Sequence, residues 1–252
     1  MQISPDQALA AASRRAPPTL GYKPELLIAG ATGVLGNAVL MRLSGTGRYA
    51  HTQVLASEPM QQGLREISLR LMDGEPAHWP ALAQRFDVAV VMFEPPRMFY
   101  ERERALWTPL PAQLLALAQW LHSQGARTLA VVLPHAQGTL PEALKAGLAS
   151  LDEHALTHIG FDRLIILRSA EKPAAFTSVN PLEKLAHWML GIFKFMVPSQ
   201  EQPVRPTKLV EIVDAALQYA PQGITVLGPQ QVWALTQLDS TALVESVGKL
   251  GA

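Results

Sequence analysis

The chain has 252 residues, 48% of them hydrophobic, which suffices for one large α/β core or a domain with a small appended lobe. Lys plus Arg equals Asp plus Glu at 21 each, so no overall basic field points to nucleic acid as a partner. The absence of Cys excludes disulfides, thiolate catalysis and Cys-based zinc sites. Charges interrupt every apolar run well short of the roughly 18 residues of a spanning helix.

In chain order, residues 1–23 carry Ser13, Arg14, Arg15, Pro17 and Pro18 without sustained periodicity and read as a flexible N-terminal extension. This extension lacks a compact apolar signal core, which together with the missing spanning segment predicts a cytoplasmic protein. Next comes Leu26 to Gly36, LLIAGATGVLG, an apolar strand running into a tight turn and then a helix over Asn37–Leu43. Its Gly30, Gly33 and Gly36 have GxxGxxG spacing. The first allows the sharp bend, the second a close approach of backbone to a pyrophosphate, and the third close packing of helix on strand. The helix start then presents free amides and a positive dipole end to an anion. Such a triplet also marks ordinary turns, so its meaning depends on the rest of the chain.

His51–Ala56 and Ile67–Met72 read as the second and third strands, Trp79–Phe86 as a short helix, and Asp87–Phe93 as a strand buried on both faces. Glu94–Pro111 is bracketed by Pro95, Pro96, Pro109 and Pro111 and predicts an excursion at the carboxyl edge of the sheet, where α/β proteins bind ligands. Arg97, Tyr100, Arg102 and Arg104 within it have the chemistry to grip a phosphate or carboxylate, or to serve as a solvated face. Ala112–Gln124 predicts a helix closed by Gly125, Thr128–Leu133 a fifth strand, Leu140–Thr157 helix, and Arg163–Leu167 a sixth strand. This alternation predicts a doubly wound parallel sheet of Rossmann type, with a small, mostly helical lobe around 181–220. In that lobe, Trp188, Ile192 and Phe195 form a second apolar stripe, buried by another lobe or offered to a protein partner or a membrane surface. Lys208–Ala220 predicts an amphipathic helix, Ile224–Leu227 a late strand, and 238–252 a tail; the whole of 24–237 is expected to form one domain.

With these elements in place the chain resembles the atypical short-chain dehydrogenase/reductase family, the NAD(P)-binding proteins related to nucleotide-sugar epimerases. The resemblance is carried by GATGVLG at Gly30–Gly36, by Met72-Asp73-Gly74 after the third strand, by RLIILRS running into Arg168, and by PVRPTKLVEIVDAAL at Pro203–Leu217. It implies a cofactor site with Gly30, Thr32, Gly33, Val34, Leu35 and Gly36 around the pyrophosphate and Asp73 near adenine. At the end of the second strand, about 20 residues past the glycines, a carboxylate suits the ribose of NAD and an Arg the phosphate of NADP. Ser57 and Glu58 stand there. Glu58 tilts the expectation toward NAD, whereas Ser57 equally suits a ribose phosphate.

Catalysis departs from the family pattern. A Tyr with a Lys four residues later is expected between the fifth and sixth strands, where the phenol exchanges a proton as hydride moves. No Tyr lies between Tyr100 and Tyr219, and Lys145 stands without that partner; Leu133-Pro134-His135 replaces the expected Ser. His135, at the end of the fifth strand, or a residue of the Glu94–Pro111 excursion is the substitute acid/base the sequence offers. His154 and His158, beside Asp152 and Glu153, have helical spacing for two ligands but no third, so no metal is expected. Three readings follow: an NAD(P)-binding module without the usual Tyr/Lys catalysis, such as a redox sensor; an oxidoreductase or epimerase-like enzyme using His135 or a residue of the Glu94–Pro111 excursion; and a fold-only interaction scaffold, which side chains filling the groove above Gly33 would favour.

Overall fold

The computed structural model describes residues 22–60, 67–134, 142–149, 153–168 and 204–250. Seven strands form one all-parallel sheet in the order β3-β2-β1-β4-β5-β6-β7: β1 Glu25–Ala29, β2 His51–Ala56, β3 Ile67–Leu71, β4 Val88–Met92, β5 Thr128–Leu133, β6 Arg163–Arg168 and β7 Gly223–Leu227. This is the Rossmann-type α/β fold that the alternation predicts. The late strand extends that sheet as its seventh member, with Leu164 opposite Ile224 and Leu167 opposite Leu227.

Helices lie on both faces: α1 Gly33–Gly45, α2 Glu101–Arg104, α3 Leu114–Ser123, α4 Glu142–Ala149, α5 Glu153–Thr157, α6 Pro206–Tyr219, α7 Pro229–Thr236 and α8 Ser240–Gly248. Successive strand residues point to opposite faces, so each central strand feeds two cores. Leu26, Ile28, Val90 and Met92 join α1, α6, α7 and α8 on one side. Leu27, Ala29, Val91 and Phe93 join α3 and the Trp79, Trp107 and Trp120 side chains on the other.

Two expectations change. Trp79–Phe86 is not helical: a 3-10 turn at Pro76–His78 precedes Trp79, whose ψ of 139° is extended, because the ring of Pro80 disfavours the helical region for the residue before it. Residues 238–252, expected as a tail, contain α8, whose Asp239 side chain caps the Ala242 amide at 2.8 Å while Leu243 and Val247 enter the core. The last residues of the N-terminal extension are tied down as well, the Tyr22 hydroxyl donating to Asp87 at 2.6 Å. The stripe of Trp188, Ile192 and Phe195 lies outside the described residues, as does His135.

Candidate functional site

In a sheet ordered this way, the crevice for a ligand opens at the carboxyl ends of β1 and β4, where the strand order reverses. Chain leaving β1 turns there at Gly30 and Gly33, with φ of 76° and 72°, a region a side chain disfavours. Gly30 has a second reason to be glycine: a Cβ would stand 2.0 Å from the Met92 carbonyl oxygen on β4. On Gly36 it would meet the Gly30 carbonyl oxygen at 2.6 Å, since α1 starts directly over the turn.

The first turn of α1 contains no acidic residue, and Thr32 at its N-cap makes no side-chain capping bond. Two of its free amides are satisfied from far along the chain. Leu35 N–H donates to Glu94 Oε2 at 2.6 Å, and Gly33 N–H donates to Glu103 Oε2 at 3.0 Å. The Glu94 side chain lies so close over the turn that a Cβ on Gly33 would be 2.2 Å from its Cδ. Buried Thr32 donates its hydroxyl to the Glu94 carbonyl and lies 2.9 Å from the Thr108 hydroxyl. The groove above Gly33 is therefore filled by two carboxylates of the chain itself.

Both come from the excursion after β4. Its far end is sewn across the sheet edge: Trp107 N–H donates to Leu55 O, Gly30 N–H to Trp107 O, and the Ser57 and Glu58 amides both to Ala105 O, with an antiparallel bridge between Ala56 and Leu106. Trp107 is buried against Trp79, ring centroids 4.8 Å apart and edge-on. Nearer Glu94, the chain folds around Glu103. That carboxylate accepts from Arg97 N–H at 2.9 Å and Arg97 Nε at 2.8 Å, while the Arg97 guanidinium lies 3.7 Å over the Tyr100 ring. Burial pushes the Glu103 carboxyl up, but the hydrogen bonds from Arg97 and Gly33 and the Arg97 charge together outweigh it and hold Glu103 below the ordinary carboxylate range.

Of the cations in the excursion, Arg97 is thus spent on Glu103, and Arg104 donates to the Met98 carbonyl at 2.5 Å. The reading of this stretch as an anion grip overlooks its acids. The available signal is Glu94 itself, which directly follows the apolar run of β4 and so faces the glycine turn of the neighbouring strand.

Ser57 and Glu58, expected at the ribose end, have exposed side chains just past β2. Asp73 is exposed and accepts its neighbour's amide, Gly74 N–H, at 2.8 Å. Val34 is exposed and Leu35 buried. Lys145 falls on α4, and Arg168 ends β6. His154 and His158 on and beside α5 approach to 3.3 Å between their Nε2 atoms; among the described residues no three His, Asp or Glu gather as metal ligands. No described helix is long and apolar enough to cross a membrane.

No protein-family model matches the chain, and neither does any curated protein. Among solved structures it is similar to MoeE5 in complex with UDP-glucose and NAD, at 13% identity and a TM-score of 0.46, over 84% of this chain and 80% of that one. It is similar also to the Bordetella bronchiseptica enzyme WbmG in complex with NAD, at 12% identity and a TM-score of 0.46, over 92% and 81% of the two chains. A short-chain dehydrogenase/reductase family oxidoreductase from Burkholderia thailandensis follows at 15% identity and a TM-score of 0.44, over 84% and 94%. At these identities and scores the likeness says nothing about what this chain binds.

Proposed function

We propose that the chain is a dinucleotide-binding module of the NAD(P) type that lacks the Tyr/Lys chemistry of short-chain dehydrogenases and works by binding, as a redox-state sensor would. One observation carries this reading: the amides of Gly33 and Leu35, at the strand-order reversal of a Rossmann-type sheet, each already hold a carboxylate oxygen. A turn that seats anions on its backbone amides has the donor set a pyrophosphate requires. Gly30, Thr32, Gly33, Val34, Leu35 and Gly36 form the cradle, and Ser57, Glu58 and Asp73 line the adenosine end. Glu58 favours NAD, its carboxylate accepting from the ribose hydroxyls, and Glu58→Arg should shift preference toward NADP. No Tyr stands between Tyr100 and Tyr219, the interval in which the family's proton-exchanging phenol is expected.

Isothermal titration with NAD, NADH, NADP and NADPH tests the reading. Saturable heat with at least one of them is expected, together with no substrate-dependent change in nicotinamide absorbance. No heat and no thermal shift with any of the four at millimolar concentration, in the wild type and after removal of the Glu94 and Glu103 carboxylates alike, would overturn it.

The filled groove above Gly33 favours a second reading, a scaffold whose turn is permanently closed by Glu94 and Glu103. Removing those carboxylates separates the two: a scaffold gains no nucleotide affinity from their loss.

A further inference from the structure

We infer that Glu94 and Glu103 are a built-in occupant of the phosphate turn, and that a dinucleotide binds by displacing them and so moves the loop between Arg97 and Arg104. The inference rests on the dinucleotide reading above and specifies how that site is regulated.

The two carboxylate oxygens sit on the Leu35 and Gly33 amides, at 2.6 Å and 3.0 Å, and the Glu94 stem covers the Gly33 Cα where backbone would approach a phosphate. A pyrophosphate and these two carboxylates cannot share the seat, because they compete for the same donors and repel one another by charge. The intramolecular pair thus stands in for the ligand and lowers its apparent affinity by the cost of moving it.

Displacement has a mechanical consequence because Glu103 Oε2 is shared. The oxygen that accepts from Gly33 accepts also from the Arg97 amide at 2.9 Å, and its partner Oε1 holds Arg97 Nε at 2.8 Å. Glu103 therefore cannot leave the turn unless it lets go of Arg97 or carries the loop along. The following residues are fixed: Ala105 O accepts the Ser57 and Glu58 amides, Leu106 bridges Ala56, and Trp107 is buried. Motion is confined to the stretch before this anchor, which carries Met98, Phe99 and Tyr100 at 73%, 89% and 51% exposure. Occupancy of the turn is thereby converted into the position of an exposed apolar tip.

The test uses the full chain as wild type, Glu94→Ala, Glu103→Gln and the double variant, each titrated calorimetrically with NAD, NADH, NADP and NADPH. Either single variant should bind about tenfold more tightly than wild type. Glu103→Gln keeps side-chain shape and decides the matter alone if Glu94→Ala fails to fold. Limited trypsin digestion reads the loop through exposed Arg102 and Arg104: nucleotide should speed cleavage of the wild type there, and Glu103→Gln should be cut quickly without it. Equal affinities in wild type and variants, with cleavage unaffected by nucleotide, overturn the inference and leave the dinucleotide reading standing. Failure of all four proteins to bind any nucleotide overturns both.

Discussion

The carboxylate of Glu103 accepts the amide of Gly33 across 70 residues of sequence, buried beneath the loop that it organises. This is a charge-assisted bond at the positive end of a helix of 13 residues, where a carboxylate is most strongly favoured.

The bond gives stability a defined pH dependence. The folded carboxyl of Glu103 is held below its ordinary value of 4.5, the pull of Arg97 and Gly33 outweighing burial. A lowered folded value means the contribution is present in full above the unfolded value and is lost as pH falls through the folded one. The difference in Tm between wild type and Glu103→Gln should thus shrink on acidification below about pH 4.5. A difference that stays constant from neutral pH downward would show that the ionised carboxylate contributes nothing.

Gly33→Ala should destabilise the protein by about 2 kcal/mol or more, since it forces a side chain to φ of 72° and against Glu94. At Gly45, near the far end of α1, a Cβ would meet nothing within 4 Å, so Gly45→Ala should change stability by less than about 1 kcal/mol. Urea unfolding of the two variants checks the contrast. Pairing Gly33→Ala with Glu94→Ala should recover part of the loss, because the clash is removed while the backbone strain stays.

Asp214, buried in α6, takes the guanidinium of Arg42 from α1 at 3.0 Å and that of Arg48 from the following loop. Asp214→Asn should cost about 2 kcal/mol in chemical unfolding, less than a fully buried pair because Arg42 is half exposed. Arg42→Ala should cost under about 1 kcal/mol, since Arg48 still neutralises Asp214.

Trp107→Ala should cost about 3 kcal/mol by opening a cavity beside Trp79 and loosening the anchor at the edge of β2. Trp107→Phe should cost less, and both should quench or shift the intrinsic fluorescence of the Trp79, Trp107 and Trp120 cluster. Wild-type fluorescence should change little on nucleotide addition if the anchor at 105–107 holds while the loop before it moves.

Local sequence determined the sheet. Apolar runs such as DVAVVMF and TLAVVL are too uniformly buried to sit anywhere except in a parallel sheet covered on both faces, and the glycines at 30, 33 and 36 can be read as a turn because only a missing Cβ permits the observed φ values and approaches. Where local signals mislead, as for Trp79–Phe86, a proline sets the backbone of its predecessor. The segment after Gln237 carries an Asp N-cap whose helix gains its stability from packing on the core, a gain that local propensity does not express. What only the tertiary structure decided is the occupancy of the turn. Glu94 and Glu103 are 59 and 70 residues from the amides they hold; the place of Glu94 after the β4 run hints at the turn, but nothing in the neighbourhood of Glu103 records its donor. The pairing exists because β4 lies beside β1 in the sheet and the excursion after β4 is anchored at Trp107, which brings two carboxylates over the positive end of α1.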